Sequence, residues 1–236
     1  MGNLTSCDNI DNCNNNIVIS IDGNIGSGKS TLLKNLKEFY KDNKKIIFLK
    51  EPVDEWNEIK DENGITILEN FYSDKKKYAF PFQMMAFISR YKILNEELKN
   101  NKNCLLITER SIYTDKLVFA RMLHETKDID EISYKIYNQM FDTLSKNLKV
   151  NKLIYVNTKP EICQERIIKR NRDGENKIGI DYLNKCEIYH QFMVNKKCDD
   201  CICYNQLILD GSLDIYINAD NKNKMIEQVD DFINKN

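Results

Sequence analysis

The chain has 236 residues, of which 42% are hydrophobic and 30% charged, so it suits one globular domain with a substantial core rather than a disordered chain. Its 35 Lys and Arg residues nearly balance 36 Asp and Glu residues, and the net charge of −1 provides no general field to hold a polyanion. We therefore expect no nucleic-acid partner. No apolar run approaches the length of a membrane span, and the first basic residue is Lys29, unlike the start of a signal or transit peptide. These features predict a cytoplasmic protein with no membrane partner.

Strand-like and helix-like segments alternate after an Asn-rich segment, residues 1–16, which is predicted to be a disordered tail. Met1-Gly2 with Ser6 also fits a myristoylation signal loosely, but that pattern is short and common. The predicted strands are 17–21, 45–49, 104–108, 152–156 and 206–209. The clearest predicted helices are 29–41, 81–99, 111–123, 129–148, 160–170 and 181–195. This order predicts an α/β fold, a doubly wound sheet of about five parallel strands with helices on both faces, in one domain over 17–236.

One predicted helix start carries its own chemistry. Thr158 and Glu161 have the spacing of a capping box around Pro160. This pattern predicts Thr158 as the N-cap and Pro160 as the second helical residue.

The eight cysteines are interpreted as reduced thiols, because nothing in the chain resembles a secretory signal. Cys198, Cys201 and Cys203, with Cys186 and His190 upstream, could surround a zinc ion. Their C-x-x-C-x-C spacing lacks the pairing typical of zinc ribbons. We predict that this cluster holds no metal.

The first strand is followed by a glycine-rich loop, Gly23-Asn24-Ile25-Gly26-Ser27-Gly28-Lys29-Ser30, which fits G-x-x-x-x-G-K-[ST] in the strand-to-helix context that the motif requires. Its glycines let bare backbone N–H groups approach phosphate oxygens. Lys29 would reach the β and γ phosphates and Ser30 would bind Mg²⁺. A plain glycine turn would need neither Lys nor Ser here. The loop predicts binding of a nucleoside triphosphate but not the reaction.

The ends of two further strands are charged. The second strand is followed by Glu51-Pro52-Val53-Asp54-Glu55-Trp56, and the third by Glu109-Arg110-Ser111. In a doubly wound sheet, ligands bind beyond the carboxyl ends of the strands. A carboxylate beside phosphates can bind metal or accept a proton, and phosphoryl transfer to an alcohol can use both roles. A solvated charge at a strand end is the alternative interpretation of Glu51.

Together these segments resemble one family, the deoxynucleoside kinases, which includes deoxycytidine, deoxyguanosine and mitochondrial thymidine kinases. The resemblance covers about residues 17–235. Its motifs are GNIGSGKST from Gly23, EPVDEW from Glu51, PFQMMAFISRY from Pro81, ERSIYTDKLVFA from Glu109, and RIIKRNRDGE from Arg166. The resemblance implies an enzyme that transfers the γ-phosphoryl group of ATP to the 5′-hydroxyl of a deoxynucleoside.

The resemblance implies a role for each charged residue near the phosphates. Glu51 is similar to the general base that accepts the 5′-hydroxyl proton, and Arg110 to the residue that holds this base and the transferring group. Glu109 is similar to a carboxylate associated with Mg²⁺ alongside Ser30, and Lys29 is included with the catalytic residues. The loop residues expected to bind ATP are Gly23, Asn24, Gly26, Ser27, Gly28, Lys29, Ser30 and Thr31.

Three arginines near the end of the predicted helix 160–170 resemble those of a lid that closes over the triphosphate. Arg166 and Arg170 are four residues apart and share a helical face, and Arg172 lies just beyond the helix. The alternative is that these arginines only offset the helix dipole.

The predicted helix 81–99 supplies the expected nucleoside site. Gln83 and Arg90 are seven residues apart and share a face. The resemblance implies that this Gln hydrogen-bonds the base. It also implies that the base is enclosed by Phe82, Phe119, Ile25 and Trp56, and that the sugar 3′-hydroxyl is bound by Tyr72 and Glu175. Without the resemblance, a buried Gln and a surface Arg would be an ordinary interpretation.

Base preference is predicted from Arg90 and Asp115, which the family places against each other. Relatives that prefer thymidine generally have apolar side chains there. A charged pair favours deoxyadenosine, deoxyguanosine or deoxycytidine, whereas an ordinary salt bridge between helices is the alternative.

The family is commonly dimeric through helices, so a homodimer through 112–124 or 129–148 is expected. The nearest rival function is a nucleoside monophosphate kinase of the thymidylate kinase type, in which an arginine usually precedes the Glu-Pro pair. Lys50 stands there in this chain. A GTPase-type switch is disfavoured because no N-K-x-D segment occurs.

Overall fold

Five parallel strands form the centre of the protein. The computed structural model describes residues 15–195, 205–213 and 218–235. The strands are β1 (Ile17–Asp22), β2 (Ile46–Leu49), β3 (Leu105–Glu109), β4 (Lys152–Asn157) and β5 (Gln206–Asp210). Their order in the sheet is β2-β3-β1-β4-β5, and all pairings are parallel. The predicted doubly wound sheet is therefore confirmed, with strand ends that differ from the prediction by a residue or so.

Helices cover both faces of this sheet. They are α1 (Lys29–Phe39), α2 (Val53–Asn57), α3 (Ile67–Ser73), α4 (Lys75–Asn100), α5 (Ile112–Thr114), α6 (Arg121–Glu125), α7 (Glu131–Leu144), α8 (Pro160–Arg170), α9 (Ile180–Asn195) and α10 (Ala219–Asn234). A π-helical segment, Asp115–Ala120, joins α5 to α6, and a 3₁₀ turn, Glu175–Lys177, precedes α9. No helix among these described residues is long and apolar enough to cross a membrane.

Alternate strand residues pack against opposite helical layers. Ile19 and Ile107 belong to a core with α1 and α10, whereas Val18 and Leu106 belong to a core with α4 and α7. This alternation explains why the central strands are apolar on both faces. A third core lies between α2, α3, α4, the π-helical segment and α9, beyond the carboxyl ends of the strands.

The longest helix begins earlier than predicted. We expected it to begin at Pro81, but α4 begins at Lys75 and Pro81 lies inside it. Asp74 caps its start by accepting a hydrogen bond from the Lys77 N–H. Packing of the α4 face against the core outweighs the local cost of the proline.

The predicted capping box at α8 is wrong. The helix does begin at Pro160, but Pro160 is the first helical residue and Lys159 is the N-cap, without a side-chain cap. The Thr158 hydroxyl instead donates to the Ser27 carbonyl at 3.0 Å. A contact from a distant part of the chain thus replaces the local cap.

Candidate functional site

The glycine-rich loop connects β1 to α1, and its glycines are required by close contacts. Gly23 and Gly26 have φ angles of 148° and 79°. A Cβ atom would lie 2.6 Å from the Val156 carbonyl oxygen at Gly23, and 2.5 Å from the Cys163 carbonyl oxygen at Gly26. Only glycine fits these positions, so the loop keeps its backbone close to β4 and α8.

Lys29 and Ser30 begin α1 at the end of this loop. The Lys29 ammonium is buried and donates to the Asn24 carbonyl oxygen at 2.7 Å. Burial and the nearby Arg110 guanidinium lower the pKa of Lys29 to about 7, although Glu109 and Glu51 oppose them. The Ser30 hydroxyl donates to the Glu109 carboxylate at 2.5 Å. The predicted metal ligands are therefore adjacent.

Glu51, Arg110 and Arg90 form a buried charge cluster past the ends of β2 and β3. One Glu51 oxygen accepts from Arg110 Nη1 at 2.9 Å and from Arg90 Nη2 at 3.1 Å. Burial alone would raise the pKa of Glu51, but Arg110, Arg90 and Lys29 together lower it to about 2. Glu51 is therefore a carboxylate over the physiological pH range.

The backbone at Arg110 has a left-handed φ of 61°. This conformation is uncommon for a residue other than glycine. It is held by two hydrogen bonds, from the Arg110 N–H to the Ile21 carbonyl at 2.9 Å and from the Thr108 hydroxyl to the Arg110 carbonyl at 2.8 Å. The fold thus stabilises a strained backbone at the residue that contacts Glu51.

The α4 helix presents Gln83 and Arg90 on one buried face, as predicted. Arg90 Nε donates to Asp115 at 2.9 Å, so the expected pairing of these two residues is present. Asp115 and Phe119 both lie on the π-helical segment, where a predicted continuous α-helix over 111–123 is wrong. The wider π turn brings both of these side chains to the same cavity.

Arginines of α8 and the segment after it face the glycine-rich loop. Arg166 Nη1 donates to the carbonyls of Ser27 at 3.2 Å and Gly211 at 2.8 Å. Arg170 and Arg172 both pair with Glu175, the second of them at 3.2 Å. The predicted lid arginines are therefore together, and two of them hold the carboxylate assigned to the sugar.

These groups line one cavity of about 810 Å³. Its lining includes every predicted site residue except Gly23, Asn24 and Ser27, which are buried. The residues brought together there are Ile25, Gly26, Gly28, Lys29, Ser30, Thr31, Glu51, Trp56, Tyr72, Phe82, Gln83, Arg90, Glu109, Arg110, Asp115, Phe119, Arg166, Arg170, Arg172 and Glu175. This volume lies in the range of cavities that bind small molecules.

Two pairs of aromatic side chains and one buried aspartate were not predicted from the sequence. Phe71 stacks on Phe82 with ring centroids 4.5 Å apart, and Tyr182 meets Tyr72 edge-on at 6.0 Å. Asp22, fully buried, accepts hydrogen bonds from the hydroxyls of Ser20 and Thr114. The acidic residue at the end of the mostly apolar strand β1 was the available signal for Asp22. The aromatic pairs join distant segments and had no local signal.

Part of the cysteine cluster can be placed. Cys198, Cys201 and Cys203 lie outside the described residues. Cys186 and His190 are buried in α9, and His190 Nδ1 lies 2.7 Å from the Cys186 carbonyl oxygen. Burial lowers the pKa of His190 to about 3. The prediction of no metal there stays a prediction.

Comparisons with known proteins support the family resemblance of the sequence motifs. A family model described as deoxynucleoside kinase matches residues 19–234. Human deoxycytidine kinase is 30% identical over 239 aligned residues, covering 91% of this chain and 90% of the relative. A fowlpox virus protein named probable deoxycytidine kinase is 32% identical, covering 92% and 88%. Mitochondrial deoxyguanosine kinase of Xenopus laevis is 29% identical, covering 76% and 73%. With the loop, the charge cluster and the cavity described above, these similarities establish that the chain belongs to the deoxynucleoside kinase family, whose members phosphorylate nucleosides.

Proposed function

We propose that the chain transfers the γ-phosphoryl group of ATP to the 5′-hydroxyl of a deoxynucleoside, with Mg²⁺ bound at the phosphates. The observation that carries this proposal is the position of Glu51. Its carboxylate lies in the same cavity as the glycine-rich loop and the Gln83–Arg90 face of α4. Phosphoryl transfer to an alcohol requires a general base between the phosphate-binding loop and a pocket large enough for the nucleoside.

The phosphate end of the cavity fits a nucleoside triphosphate. Arg110 lines the cavity, and its Nε is buried without a hydrogen-bond partner within the described residues. The Lys29 ammonium lies beside the loop, and binding of an anion would favour its charged form. Arg166, Arg170 and Arg172 line the same end and can contribute positive charge once water is excluded.

Magnesium also fits the residues present. The Ser30 hydroxyl and the Glu109 carboxylate offer adjacent oxygen atoms, which are the ligands that Mg²⁺ prefers. When bound, Mg²⁺ neutralises charge on the phosphates. Among the described residues there is no group of three or more His, Cys, Asp or Glu side chains suited to a metal. This pattern agrees with a metal that takes its remaining ligands from phosphates and water.

At the reacting end, Glu51 accepts the proton of the 5′-hydroxyl. Because Arg110, Arg90 and Lys29 lower its pKa, Glu51 is an ionised carboxylate that is able to accept this proton. Arg110 orients this carboxylate and places a guanidinium beside the transferring group. Lys29 stabilises the negative charge on the phosphoryl oxygens.

At the nucleoside end, Gln83 hydrogen-bonds the base. The charged pair of Arg90 and Asp115 restricts which base fits. Gln83 Oε1 is buried and has no hydrogen-bond partner among the residues that the structure describes. Such an acceptor favours a ligand with a matching donor. The charged pair favours deoxyadenosine, deoxyguanosine or deoxycytidine over thymidine. Tyr72 and Glu175 bind the 3′-hydroxyl, while Phe82, Phe119, Ile25 and Trp56 enclose the base.

The product of the reaction tests this proposal. With ATP labelled on the γ-phosphate and Mg²⁺, at least one of deoxycytidine, deoxyadenosine and deoxyguanosine should give ADP and the labelled deoxynucleoside 5′-monophosphate, and EDTA should stop the reaction. Phosphorus NMR distinguishes the 5′ from the 3′ ester. A chain that accepts thymidylate but none of the deoxynucleosides would contradict the proposal and favour a monophosphate kinase.

We also propose a homodimer through α7. This helix exposes an apolar stripe of Ile132, Ile136 and Met140, and Ile88 is exposed on the neighbouring α4. The other candidate segment, 112–124, is largely buried within its own subunit. Light scattering on the wild type should give twice the chain mass, and Ile132→Glu with Ile136→Glu should give the monomer mass. A monomeric wild type would contradict the dimer.

A further inference from the structure

The pocket wall formed by Trp56 is attached to α4 by one hydrogen bond. Trp56 lies on α2, a helix of five residues that begins two residues after Glu51. Its indole is buried, and its Nε1–H donates to the Ser89 hydroxyl oxygen at 2.9 Å. A helix this short cannot hold its own shape, so contacts with the rest of the molecule must place the ring.

The hydroxyl of Ser89 is oriented for this contact. It donates its own hydrogen to the Ala86 carbonyl oxygen at 3.1 Å, one turn earlier in α4. A serine hydroxyl has one donor and two acceptor sites, so donation to Ala86 leaves a lone pair for the indole N–H. The hydroxyl therefore serves as a fixed acceptor on a long helix.

Two consecutive residues of α4 hold the two ends of the segment from Glu51 to Trp56. Arg90 donates to Glu51 at 3.1 Å, and Ser89 accepts from Trp56. The Arg90 guanidinium also lies 5.9 Å from the centroid of the Trp56 ring, and Phe82 meets that ring edge-on at 5.6 Å. The α4 helix thus sets the position of both the Glu51 carboxylate and the Trp56 ring.

We propose that Ser89 is a positioning residue of the nucleoside pocket, which acts by holding the Trp56 indole at the edge of the base. This inference rests on the proposed function, because Trp56 is assigned there to the base. Ser89 is not among the residues that line the cavity. Its loss therefore weakens binding of the nucleoside and leaves the chemical step intact.

The variant Ser89→Ala leaves the buried indole N–H without this acceptor, whereas Ser89→Thr keeps a hydroxyl. We expect Ser89→Ala to raise the KM for the deoxynucleoside roughly two- to tenfold, with kcat and the KM for ATP unchanged within about twofold. Ser89→Thr should restore the wild-type KM. An unchanged KM, or an equal loss in kcat, would overturn the inference.

A double-mutant cycle shows whether the effect passes through Trp56. In a Trp56→Phe background the ring has no N–H to donate, so adding Ser89→Ala should change the KM no further. If Ser89→Ala raises the KM equally in both backgrounds, Ser89 acts in another way and the inference fails.

Fluorescence separates this inference from the proposed function. The chain has a single tryptophan, so its emission reports Trp56 alone. In Ser89→Ala without ligands, the emission should shift and its anisotropy should fall, and Ser89→Thr should resemble the wild type. Unchanged emission and anisotropy in Ser89→Ala would overturn the anchoring role even if the kinase activity is as proposed. If the wild type phosphorylates no deoxynucleoside, the proposed function fails whatever the fluorescence shows.

Discussion

The two ends of the cavity hold their charges in different ways. At the nucleoside end, the side chains of Arg90 and Asp115 are only 5% and 3% exposed, and both are fixed by hydrogen bonds. At the phosphate end, the side chains of Arg170 and Arg172 are 34% and 35% exposed and share Glu175. A buried pair fixed by several hydrogen bonds is rigid and costly to break. The two partly exposed arginines instead share one carboxylate, that of Glu175, which is only 6% exposed, so either arginine can turn toward another anion while the other keeps Glu175 paired. We therefore propose that the nucleoside end discriminates between bases and that the phosphate end rearranges when ATP binds.

The largest effect is expected from Arg110→Ala, which removes charge beside the transferring group and leaves Glu51 paired only with Arg90. We expect kcat to fall by more than about 10²-fold. Arg110→Lys should recover only part of the rate, since it keeps the charge but not the planar fork. A rate for Arg110→Ala near that of the wild type would remove Arg110 from the mechanism.

Glu51→Gln should lower kcat by about 10²-fold or more, because an amide cannot accept the hydroxyl proton. ATP binding, measured by calorimetry, should be largely intact. Glu55→Gln, an exposed residue on α2, is the matched control and should retain full activity. Near-normal turnover of Glu51→Gln would show that another group is the base.

Specificity at the nucleoside end should change in the double variant Arg90→Met with Asp115→Ala. Removing the charged pair makes room for the thymine methyl, so kcat/KM for thymidine should rise relative to deoxycytidine by about tenfold or more. The single variant Arg90→Met should be less stable than the double variant, because it leaves a buried carboxylate unpaired, at a cost of about 3–5 kcal/mol. Thermal melting and the kcat/KM ratio measure these two effects. An unchanged kcat/KM ratio would show that Arg90 and Asp115 form only a structural salt bridge.

ATP affinity should depend on pH through Lys29. Its pKa in the free protein is about 7, and an anionic ligand favours its charged form, so binding above pH 7 must take up a proton. The Kd for ATP should rise by up to about tenfold per pH unit between about pH 7 and 9. Calorimetry in buffers of different ionisation enthalpy measures that uptake. Lys29→Met should bind weakly with no such dependence, and an equal slope in this variant would rule out Lys29 as its source.

Lys29 also couples pH to folding. Because its pKa is lowered from 10.5 in the unfolded chain to about 7, the unfolded state binds more protons between these values. This group therefore makes the free energy of unfolding increase as pH rises from about 7 to about 10.5.

The smallest effects are expected at Arg170 and Arg172, two of the predicted lid arginines, whose side chains are about a third exposed. Arg170→Gln should raise the KM for ATP several-fold while changing the melting temperature by only about 1–2 °C, because Arg170 is partly exposed and Arg172 still pairs with the Glu175 carboxylate. Arg90→Met should lower the melting temperature much more. Equal losses of stability in these two variants would remove the contrast between the ends of the cavity.

The phosphate end was the easier one to predict from sequence. The glycine-rich loop is contiguous, and the required φ angles at Gly23 and Gly26 make its spacing informative. The strands of the sheet were predicted for a similar reason, since each is a short apolar run between polar segments. A contiguous sequence pattern is sufficient to predict a feature that neighbouring residues form.

Elsewhere, contacts between distant segments decided the structure. The capping box at Thr158 failed because its hydroxyl contacts Ser27, 131 residues away. Packing also keeps α4 continuous on both sides of Pro81. Packing likewise makes the helix π-helical at Asp115–Ala120, where its turns are wider. The helix Ala219–Asn234 was not among the clearest predicted helices, although its buried residues recur with helical spacing. The hydrogen bond between Trp56 and Ser89 crosses 33 residues and had no local signature.

The central claim is that the charged, buried nucleoside end selects a deoxynucleoside other than thymidine as the phosphoryl acceptor. The most direct test is one assay with ATP and Mg²⁺ across the four natural deoxynucleosides, with thymidylate as a fifth acceptor. We expect the highest kcat/KM for deoxycytidine, deoxyadenosine or deoxyguanosine, with thymidine poor and thymidylate inert. Thymidine or thymidylate as the best acceptor would contradict it.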